Sequence, residues 1–421
     1  MLDIKFIRDN PEKVKEGIAK KNTHINIDKI LALDSRRREI IREVENLKAK
    51  RNKTSAEIAQ KKKNGESAED VILAMRKVGE DIAAMDSELN SLDQQIHNLL
   101  IRIPNIPHES APVGDDENAN IVVKEWGEIS KPEFEVLPHW EIGETLGILS
   151  LSAAVKISGS GFYLLKGMGA SLQRALINYM LDLHTYDGFQ EIASPFIVNE
   201  NSMFGTGQLP KMAEDMYKTE NDNLYLIPTA EVPLTNIYKQ ELINHKELPI
   251  NMVGYSPCFR REAGAAGKDT RGMIRVHQFD KVEMVKIVRP ENSYDEMESL
   301  LMQAEKVLQG LKIPYRVCNL ATGDLSFAAA KCYDIEIWSS GVKRYLEISS
   351  VSNFEDFQAR RMNLRFRDDD KLVKYPHTLN GSGVALARLI AAILENYQNS
   401  DKTVTIPEVL RPYMKDAEKI G

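Results

Sequence analysis

Hydrophobic residues in the first hundred positions recur at alternating intervals of three and four, which is the heptad spacing of packed helices. The pattern is regular in the second half of this region, and two arginines interrupt it in the first half. The seam positions are Ile30, Leu33, Arg37, Ile40, Val44, Leu47, Arg51, Thr54 and Ile58, then Val71, Met75, Val78, Ile82, Met85, Leu89, Leu92, Ile96 and Leu99. Two long helices that pack against each other are therefore predicted.

A turn separates the two halves of this pattern. Asn64-Gly65 is a turn signal, and Ser67 with Asp70 resembles a capping pair that begins a helix. We therefore predict an antiparallel helical hairpin, a coiled coil, within residues 1–103. Its arms should have about 35 residues each and extend roughly 50 Å.

Charge is distributed unevenly along the hairpin. Residues 28–63 carry twelve Lys/Arg against six Asp/Glu, whereas residues 64–100 carry two against eight. The basic residues near the tip are Lys48, Lys50, Arg51, Lys53, Lys61, Lys62 and Lys63. Either the two arms attract each other across a solvated face, or the cluster binds phosphate groups of a nucleic acid.

The rest of the chain predicts a mixed domain. Residues 104–160 hold five prolines and an acidic run, which indicates a linker and the start of the domain at 161–421. Helices are predicted at 172–183 and 384–397, and strands at 273–287 and 346–351. The glycine patterns of Rossmann and P-loop sites are absent. An antiparallel sheet with helices on one side, an α+β fold, is favoured.

Composition excludes several classes of protein. A length of 421 residues suggests two or three domains, and three cysteines are too few and too scattered for a disulfide framework or a zinc site. No apolar run approaches the ~18 residues of a membrane span. A cytoplasmic protein without a membrane partner is expected. Since the net charge is −7, a nucleic acid would have to be held by a local basic patch.

The segment from Phe259 to Glu283 carries the most chemistry. Arg260, Arg261 and Glu262 precede a glycine-rich loop, and the strand predicted after it places Arg275, His277, Phe279, Lys281 and Glu283 on one face. Arginine forms a bidentate fork for phosphate, and phenylalanine can stack on a base. A salt-bridged outer face of an ordinary strand is the alternative.

Three other segments would suit the same ligand, although each also has an ordinary structural explanation. Thr229-Ala230-Glu231 places a hydroxyl and a carboxylate on one face, or forms a simple turn. Glu347-Ile348-Ser349-Ser350 offers hard oxygen ligands for Mg²⁺, or a polar strand edge. The third segment, from Gly381-Ser382-Gly383 to Arg388, would open a helix that carries an arginine, or an ordinary capped helix.

Together these segments resemble the bacterial-type seryl-tRNA synthetases, which are class II aminoacyl-tRNA synthetases, over essentially the full length. Pro195 resembles the motif 1 proline at the dimer interface. Phe259-Arg-x-Glu262 with its loop and strand is similar to motif 2. Gly381-Ser-Gly-x-x-x-x-Arg388 is similar to motif 3, and Thr229-Ala-Glu231 to the serine-binding triplet.

The resemblance implies a six- or seven-stranded antiparallel sheet flanked by helices, a homodimer, and a tRNA-binding arm. It implies the use of ATP and Mg²⁺ to form seryl-adenylate, followed by transfer of the seryl group to tRNA(Ser), and to tRNA(Sec) where the host has one. Zinc is not expected.

The resemblance also assigns individual residues. Arg260, Glu262 and Arg388 would be catalytic, and Glu347 with Ser350 would hold Mg²⁺. Ser350 rather than Ser349 requires a strand end or a bulge after Glu347, because simple alternation pairs Glu347 with Ser349. The residues that would bind L-serine are Thr229, Ala230, Glu231, Glu283, Asn380 and Ser382. Those that would bind ATP are Arg260, Arg261, Glu262, Arg275, Val276, Phe279, Glu347, Ile348, Ser349, Ser350 and Arg388.

Two other functions remain open at this point. An amino-acid activator that loads a carrier protein would use the same site, but the long hairpin argues against it. A non-catalytic coiled-coil protein with the same fold is disfavoured because Arg260, Glu262, Glu347 and Arg388 occur together.

Overall fold

The computed structural model describes residues 1–65, 67–263 and 271–421. The predicted glycine-rich loop, 264–270, lies outside the described residues. Contacts divide the chain into two compact units, Met1–Ala19 with Thr23–Pro104 and Lys20–Asn22 with Asn105–Gly421. Among the described residues, no helix is both long enough and apolar enough to cross a membrane.

The first unit is helical. Its helices are α1 (Ile4–Asp9), α2 (Pro11–Ala19), α3 (Ile27–Lys63) and α4 (Glu69–Leu100). The heptad seam lies between α3 and α4, where Ile40, Val44, Ile82 and Leu92 are buried together and Leu33, Leu47, Val78, Met85 and Leu89 pack around them. The predicted antiparallel hairpin is confirmed.

The tip of the hairpin lies where the turn signal places it. Helix α3 ends at Lys63, and Gly65 adopts a φ of +75°, which glycine tolerates without strain. The predicted capping pair is wrong. Helix α4 has Ala68 at its N-cap and no side chain caps it, because the helix begins two residues after Ser67.

Ion pairs join the two arms on one part of their length. Arg36 pairs with Glu88 at 3.0 Å and Lys48 with Asp86 at 3.5 Å. Nearer the tip the basic cluster is mostly exposed, with Lys61 half-buried and Lys50, Arg51, Lys53, Lys62 and Lys63 exposed. The attraction between the arms is therefore confirmed for this part of the hairpin, whereas binding of a nucleic acid by the exposed cluster stays a prediction.

The second unit combines helices with a large sheet. Its helices are α5 (His139–Thr145), α6 (Leu151–Ser158), α7 (Met168–Tyr186), α8 (Glu200–Gly205), α9 (Glu231–Asn236), α10 (Ser293–Gly310), α11 (Phe357–Met362) and α12 (Leu386–Asn396). The strands of the large sheet are β1 (Ile121–Trp126), β2 (Gln190–Glu191), β6 (Ile250–Phe259), β7 (Gln278–Val288), β8 (Tyr315–Asn319), β9 (Lys331–Ser339), β10 (Arg344–Asn353) and β13 (His377–Ala385). Smaller sheets contain β3 (Ile197–Asn199), β4 (Leu224–Leu226), β5 (Leu242–Asn244), β11 (Arg365–Arg367), β12 (Val373–Lys374), β14 (Val404–Thr405) and β15 (Lys419–Ile420).

The large sheet has eight strands in the described residues, in the order β1-β8-β9-β10-β13-β7-β6-β2. All neighbours are antiparallel except β2, which pairs with β6 in parallel. The expectation of six or seven strands was therefore too low. The additional edge strand β1 comes from the proline-rich segment, whose composition indicates mainly a linker.

Helices cover both faces of this sheet, so the prediction of helices on one side was wrong. Val282 and Met284 of β7 face a core built with α7, α10 and α12. Val285 and Ile287 face a second core that includes α9 and α11. The alternation of β7 therefore reflects two buried faces rather than one.

Two predicted boundaries were also wrong. Strand β7 begins at Gln278 rather than at 273, because the preceding backbone bonds outside the sheet: Met273 N donates to His139 and His277 N to Gly161 O. Helix α12 begins at Leu386, because residues 381–383 continue strand β13 and pair with β7 and β10.

The hairpin seam predicts a position-specific loss of stability. Ile82→Ala should lower the unfolding free energy of the hairpin by roughly 2–4 kcal/mol, because it opens a cavity between α3 and α4. Urea unfolding followed by helical circular dichroism measures it. Leu73→Ala on the same helix is the control, since Leu73 is 68% exposed and should change little. Equal losses in both variants would contradict the assigned seam.

Candidate active site

A cavity of about 890 Å³ lies on the sheet face formed by β7, β13, β10 and β9. We call it the sheet cavity. The segments singled out by sequence meet there, although they are far apart along the chain. Predicted residues that line it are Thr229, Glu231, Arg260, Glu262, Arg275, Val276, Phe279, Glu347, Ile348, Ser349, Ser350, Asn380, Ser382 and Arg388.

Two carboxylates share one amide at the first end of the cavity. Asn380 of β13 donates through Nδ2 to Glu231 Oε2 and to Glu283 Oε1, at 3.1 Å each. Glu231 begins α9 and Glu283 lies on β7, and both are buried. Ser382 Oγ donates to Glu283 Oε2 at 3.3 Å. A strand, its neighbour and a helix thus converge on one polar group.

Further buried groups fix Glu231. Gln358 of α11 donates to Glu231 Oε1 at 2.7 Å and accepts from Thr378 Oγ1 at 2.7 Å. Burial, and next the negative charge of Glu283, raise the pKa of Glu231 to about 7. Asn380 Oδ1 is buried without a protein partner in the described residues, so this end of the cavity holds an unused acceptor.

Glu283 has its own counter-ion. The ammonium of Lys281, two residues earlier on the same face of β7, forms an ion pair with Glu283, and both side chains are buried. The pair leaves Glu231 as the carboxylate of this end that has hydrogen-bond donors but, among the described residues, no ion-pair partner. An ammonium group is therefore the ligand that Glu231 would favour.

The second end of the cavity combines arginines with an aromatic ring. The guanidinium carbon of Arg260 lies 5.1 Å from the centre of the Phe279 ring. Arg275 Nη1 donates to Glu262 Oε2 at 2.6 Å. Glu262 has a φ of +51°, a left-handed conformation that is uncommon for a residue with a side chain. Asp215 supports this turn, since its Oδ1 accepts from Ala263 N at 2.9 Å.

A β-bulge determines which serine accompanies Glu347. The register between β10 and β9 shifts between Glu347 and Ser349, so Ser350 returns to the side of Glu347. Ser350 Oγ donates to Glu347 Oε1 at 3.1 Å, whereas Ser349 Oγ donates to Ser382 O at 2.7 Å. The required bulge is present, and Ser349 holds two strands together instead.

Arginine charges surround Glu347. Its Oε2 lies 3.5 Å from Arg388 Nη1, and Arg388 Nε donates to Ile274 O at 3.1 Å. Desolvation favours the neutral carboxyl of Glu347, but Arg388 and Arg260 outweigh it and hold its pKa below the usual value. Glu347 is therefore an anion near neutral pH. Asp334 on β9 has its pKa raised by burial and by this charge.

The Glu347 and Ser350 oxygens fit a magnesium ion. A carboxylate and a hydroxyl in mutual contact are hard donors, and Mg²⁺ commonly takes one or two carboxylates and completes its shell with water and phosphate. In the described parts of the chain, no three His, Cys, Asp or Glu side chains group so as to hold a metal alone. A metal held here would therefore need ligands from a substrate.

Three predicted residues do not line the sheet cavity. Arg261 is exposed and its backbone N bonds to Asp215 O. Ala230 is buried in the second core beneath α9. Glu283 lies directly behind Asn380 and Ser382 and acts through them.

Sequence reasoning missed several groups at the cavity. The sequence pattern places Lys281 on the strand face without indicating a role, and its alternation with Glu283 is the available signal. Gln358, Thr378, Asp334 and the Arg316–Glu336 ion pair had no local signal, because their partners lie on other elements.

Comparisons with known proteins agree with this geometry. Residues 1–107 match the family described as the seryl-tRNA synthetase N-terminal domain, and residues 215–397 match the tRNA synthetase class II core domain (G, H, P, S and T). A serine–tRNA ligase of Carboxydothermus hydrogenoformans is 56% identical over 98% of this chain and 98% of its own length. The chain belongs to the seryl-tRNA synthetase family.

Other members of the seryl-tRNA synthetase family match equally completely. The serine–tRNA ligase of Thermodesulfovibrio yellowstonii is 54% identical over 98% of this chain and 99% of its own length. The crystal structure of the seryl-tRNA synthetase from Pyrococcus horikoshii, complexed with ATP, superposes with a TM-score of 0.95 at 41% identity. That match covers 100% of this chain and 99% of the other. The predicted α+β class II fold is confirmed.

The raised pKa of Glu231 predicts a pH-dependent stability. Between its ordinary value of 4.5 and about 7, the folded chain keeps a proton that the unfolded chain has lost, so rising pH lowers the unfolding free energy. Glu231→Gln removes this titration. Between about pH 5 and about pH 8, the unfolding free energy of the variant minus that of the parent should rise by roughly 1–3 kcal/mol.

Tryptophan fluorescence during denaturant unfolding measures this shift, because all three tryptophans lie in the second unit. Glu220→Gln, at an exposed carboxyl of the same unit, is the control and should follow the parent at every pH. A Glu231→Gln curve parallel to the parent would show that Glu231 titrates normally.

Proposed function

We propose that this protein joins ATP and L-serine into seryl-adenylate and pyrophosphate and then transfers the seryl group to the 3′ end of tRNA(Ser). The observation that carries the proposal is the Asn380 amide between Glu231 and Glu283, opposite the arginines of the same cavity. At one end the carboxylates suit the ammonium group of an amino acid. At the other end the arginines suit the phosphates of a nucleotide, and their positive charge would allow the amino-acid carboxylate to approach those phosphates.

The first end would bind L-serine. Glu231 and Thr229 would hold the ammonium. Ser382 would bond the side-chain hydroxyl with Asn380 beside it, and Glu283 would act through these two residues. Ala230 supports Glu231 from the core. With alanine the buried Asn380 Oδ1 would stay without a partner, and sites built to bond a hydroxyl strongly reject the analogue that lacks it.

The second end would bind ATP. Arg260 would neutralise the α-phosphate and Arg388 the γ-phosphate, while Phe279 would stack on adenine. Glu262, held by Arg275, would bond the adenine amino group, and the Val276 backbone would add a contact. The serine carboxylate then attacks the α-phosphorus and pyrophosphate leaves. No protein nucleophile is needed, because the rate comes from positioning and electrostatic stabilisation.

Glu347 and Ser350 would hold Mg²⁺. When bound, the ion would supply positive charge to the phosphates and assist pyrophosphate as the leaving group. The contribution of the protein is the bulge that places both oxygens side by side, together with Arg388, which keeps Glu347 ionised.

The helical hairpin would bind tRNA. We assign residues 1–103 to this arm, 104–160 to the linker and start of the catalytic domain, and 161–421 to the class II catalytic domain. The exposed lysines near the tip support the arm assignment. tRNA(Sec) would be a second substrate where the host has one, and charging would take place in the cytoplasm.

A homodimer is also part of the proposal. Pro195 resembles the interface proline of motif 1, and the two residues after it expose apolar surface. Phe196 is 38% exposed and Ile197 is 50% exposed. A second copy that covers this surface would remove both side chains from water.

Amino-acid-dependent ATP–pyrophosphate exchange tests the first step. Serine should support exchange, whereas threonine, alanine and glycine should support little. Arg260→Ala should lower the rate by roughly a hundredfold or more, because the α-phosphate loses its cation. No exchange with any amino acid would overturn the catalytic assignment. Exchange without loading of tRNA would instead favour an enzyme that serves a carrier protein.

Charge reversal at the tip tests the arm. Lys61→Glu/Lys62→Glu/Lys63→Glu should raise the KM for tRNA by roughly tenfold or more and flatten its salt dependence. Serine-dependent exchange, which needs no tRNA, is the internal reference. The matched control Lys5→Glu/Lys13→Glu/Lys29→Glu makes the same charge change on exposed residues away from the tip. Equal effects of the two triple variants would contradict a local binding surface.

A further inference from the structure

A buried histidine and a buried glutamate lie next to Met273, one of the residues that line the sheet cavity. His139 begins α5 and Glu395 lies in the last turn of α12, and neither side chain has any exposed surface. The two atoms His139 Nδ1 and Glu395 Oε1 are 2.8 Å apart. The proposed mechanism uses neither residue.

The contacts of this pair fix the protonation of the imidazole. Met273 N–H donates to His139 Nε2 at 3.0 Å, and a ring nitrogen that accepts a hydrogen bond carries no proton. The proton is therefore on Nδ1, which donates to Glu395. In this arrangement His139 connects a carboxylate to a backbone amide.

Glu395 is a rigid acceptor for this purpose. It also accepts from the backbone N of Gly341 at 3.0 Å, from the backbone N of His139 at 3.1 Å, and from Ser339 Oγ. Burial favours its neutral form, but His139 and these donors hold its pKa below the usual value. The imidazole ring is thus oriented by a carboxylate that is itself fully bonded.

Gly272 provides a second, independent observation. It has a φ of +66°, and a Cβ atom there would lie 2.1 Å from His139 Nε2. Glycine is therefore required for the backbone to come close enough for the Met273 amide to reach the imidazole.

The amide held by His139 belongs to the segment that lines the ATP end. Ile274, the next residue, uses its carbonyl to accept from Arg388 Nε at 3.1 Å. Arg275 then pairs with Glu262, and Val276 also lines the cavity. A displacement of Met273 would therefore also move the Ile274 carbonyl, which orients Arg388.

We propose that His139 and Glu395 are positioning residues that hold the Met273–Ile274 backbone, and through it Arg388, in the geometry that binds ATP. The test of this role rests on the proposed function, because it uses the serine-dependent exchange assay. The hydrogen bonds of His139 and Glu395 do not depend on that function. It implies a selective effect on ATP rather than on serine, because the hydrogen bonds just described, from Glu395 to Arg388, do not involve Glu231, Asn380 or Glu283.

Two variants of similar size separate this role from general packing. In His139→Gln the terminal carbonyl oxygen can occupy the position of Nε2 and accept from Met273 N–H. In His139→Asn the shorter amide can still donate to Glu395 but leaves that N–H without an acceptor. Both variants remove the ring and reduce the volume of the same buried site.

The KM for ATP and the KM for serine should be measured for both variants by serine-dependent pyrophosphate exchange, together with the midpoint of thermal unfolding. His139→Asn should raise the KM for ATP by roughly tenfold with the KM for serine within about twofold of the parent. His139→Gln should recover most of that loss. Both variants should show similar melting midpoints.

Equal KM values for ATP in the two variants, or a KM for serine that rises in parallel with that for ATP, would overturn the positioning role. Failure of the parent enzyme to exchange with serine would instead count against the proposed function. The two failures are therefore distinguishable in one experiment.

Discussion

Two buried carboxylates held close together by one amide are the constraint on which the rest of the site depends. Removing an anion from water is costly unless it is paired and hydrogen-bonded, and a second anion nearby adds to the cost. Glu283 meets that cost with Lys281, while Glu231 relies on Gln358 and Asn380. The raised pKa of Glu231 shows that its charged form is still disfavoured. The ammonium of an amino acid would stabilise that charged form.

The large sheet explains how such an arrangement can be built. Strand β7 supplies Phe279, Lys281 and Glu283 on one face. The neighbouring strand β13 adds the Asn380 amide, and β10 adds the oxygens of Glu347 and Ser350. The other face of β7 is covered by α7, α10 and α12, so the strands are held from behind. A cavity on a supported sheet keeps its polar groups in place without a ligand, which is the condition for catalysis by preorganised charge.

The sequence was most informative where structure is local. Heptad spacing and Asn64-Gly65 predict the hairpin because helix periodicity and turns depend on neighbouring residues. The motif segments predict most of the residues that line the cavity, since their chemistry is carried by short runs such as Thr229-Ala230-Glu231.

Long-range pairing limited the rest of the prediction. The contacts of Gln358 with Glu231 and of His139 with Glu395 join positions more than a hundred residues apart, and no local pattern marks either pair. The start of β7 was misplaced for the same reason. The backbone amides of Met273 and His277 donate to α5 and to the segment before α7 instead of to a neighbouring strand. The first part of the predicted strand therefore lies outside the sheet.

Proton release on serine binding tests the central claim most directly. If Glu231 is partly protonated in the free enzyme and becomes the partner of an ammonium, serine binding near pH 7 must release a proton. Calorimetry in buffers of different ionisation enthalpy measures the number released. We expect a substantial fraction of one proton near pH 7, less at higher pH, and none in Glu231→Gln. Binding heats that do not depend on the buffer, with full affinity retained in Glu231→Gln, would contradict the account.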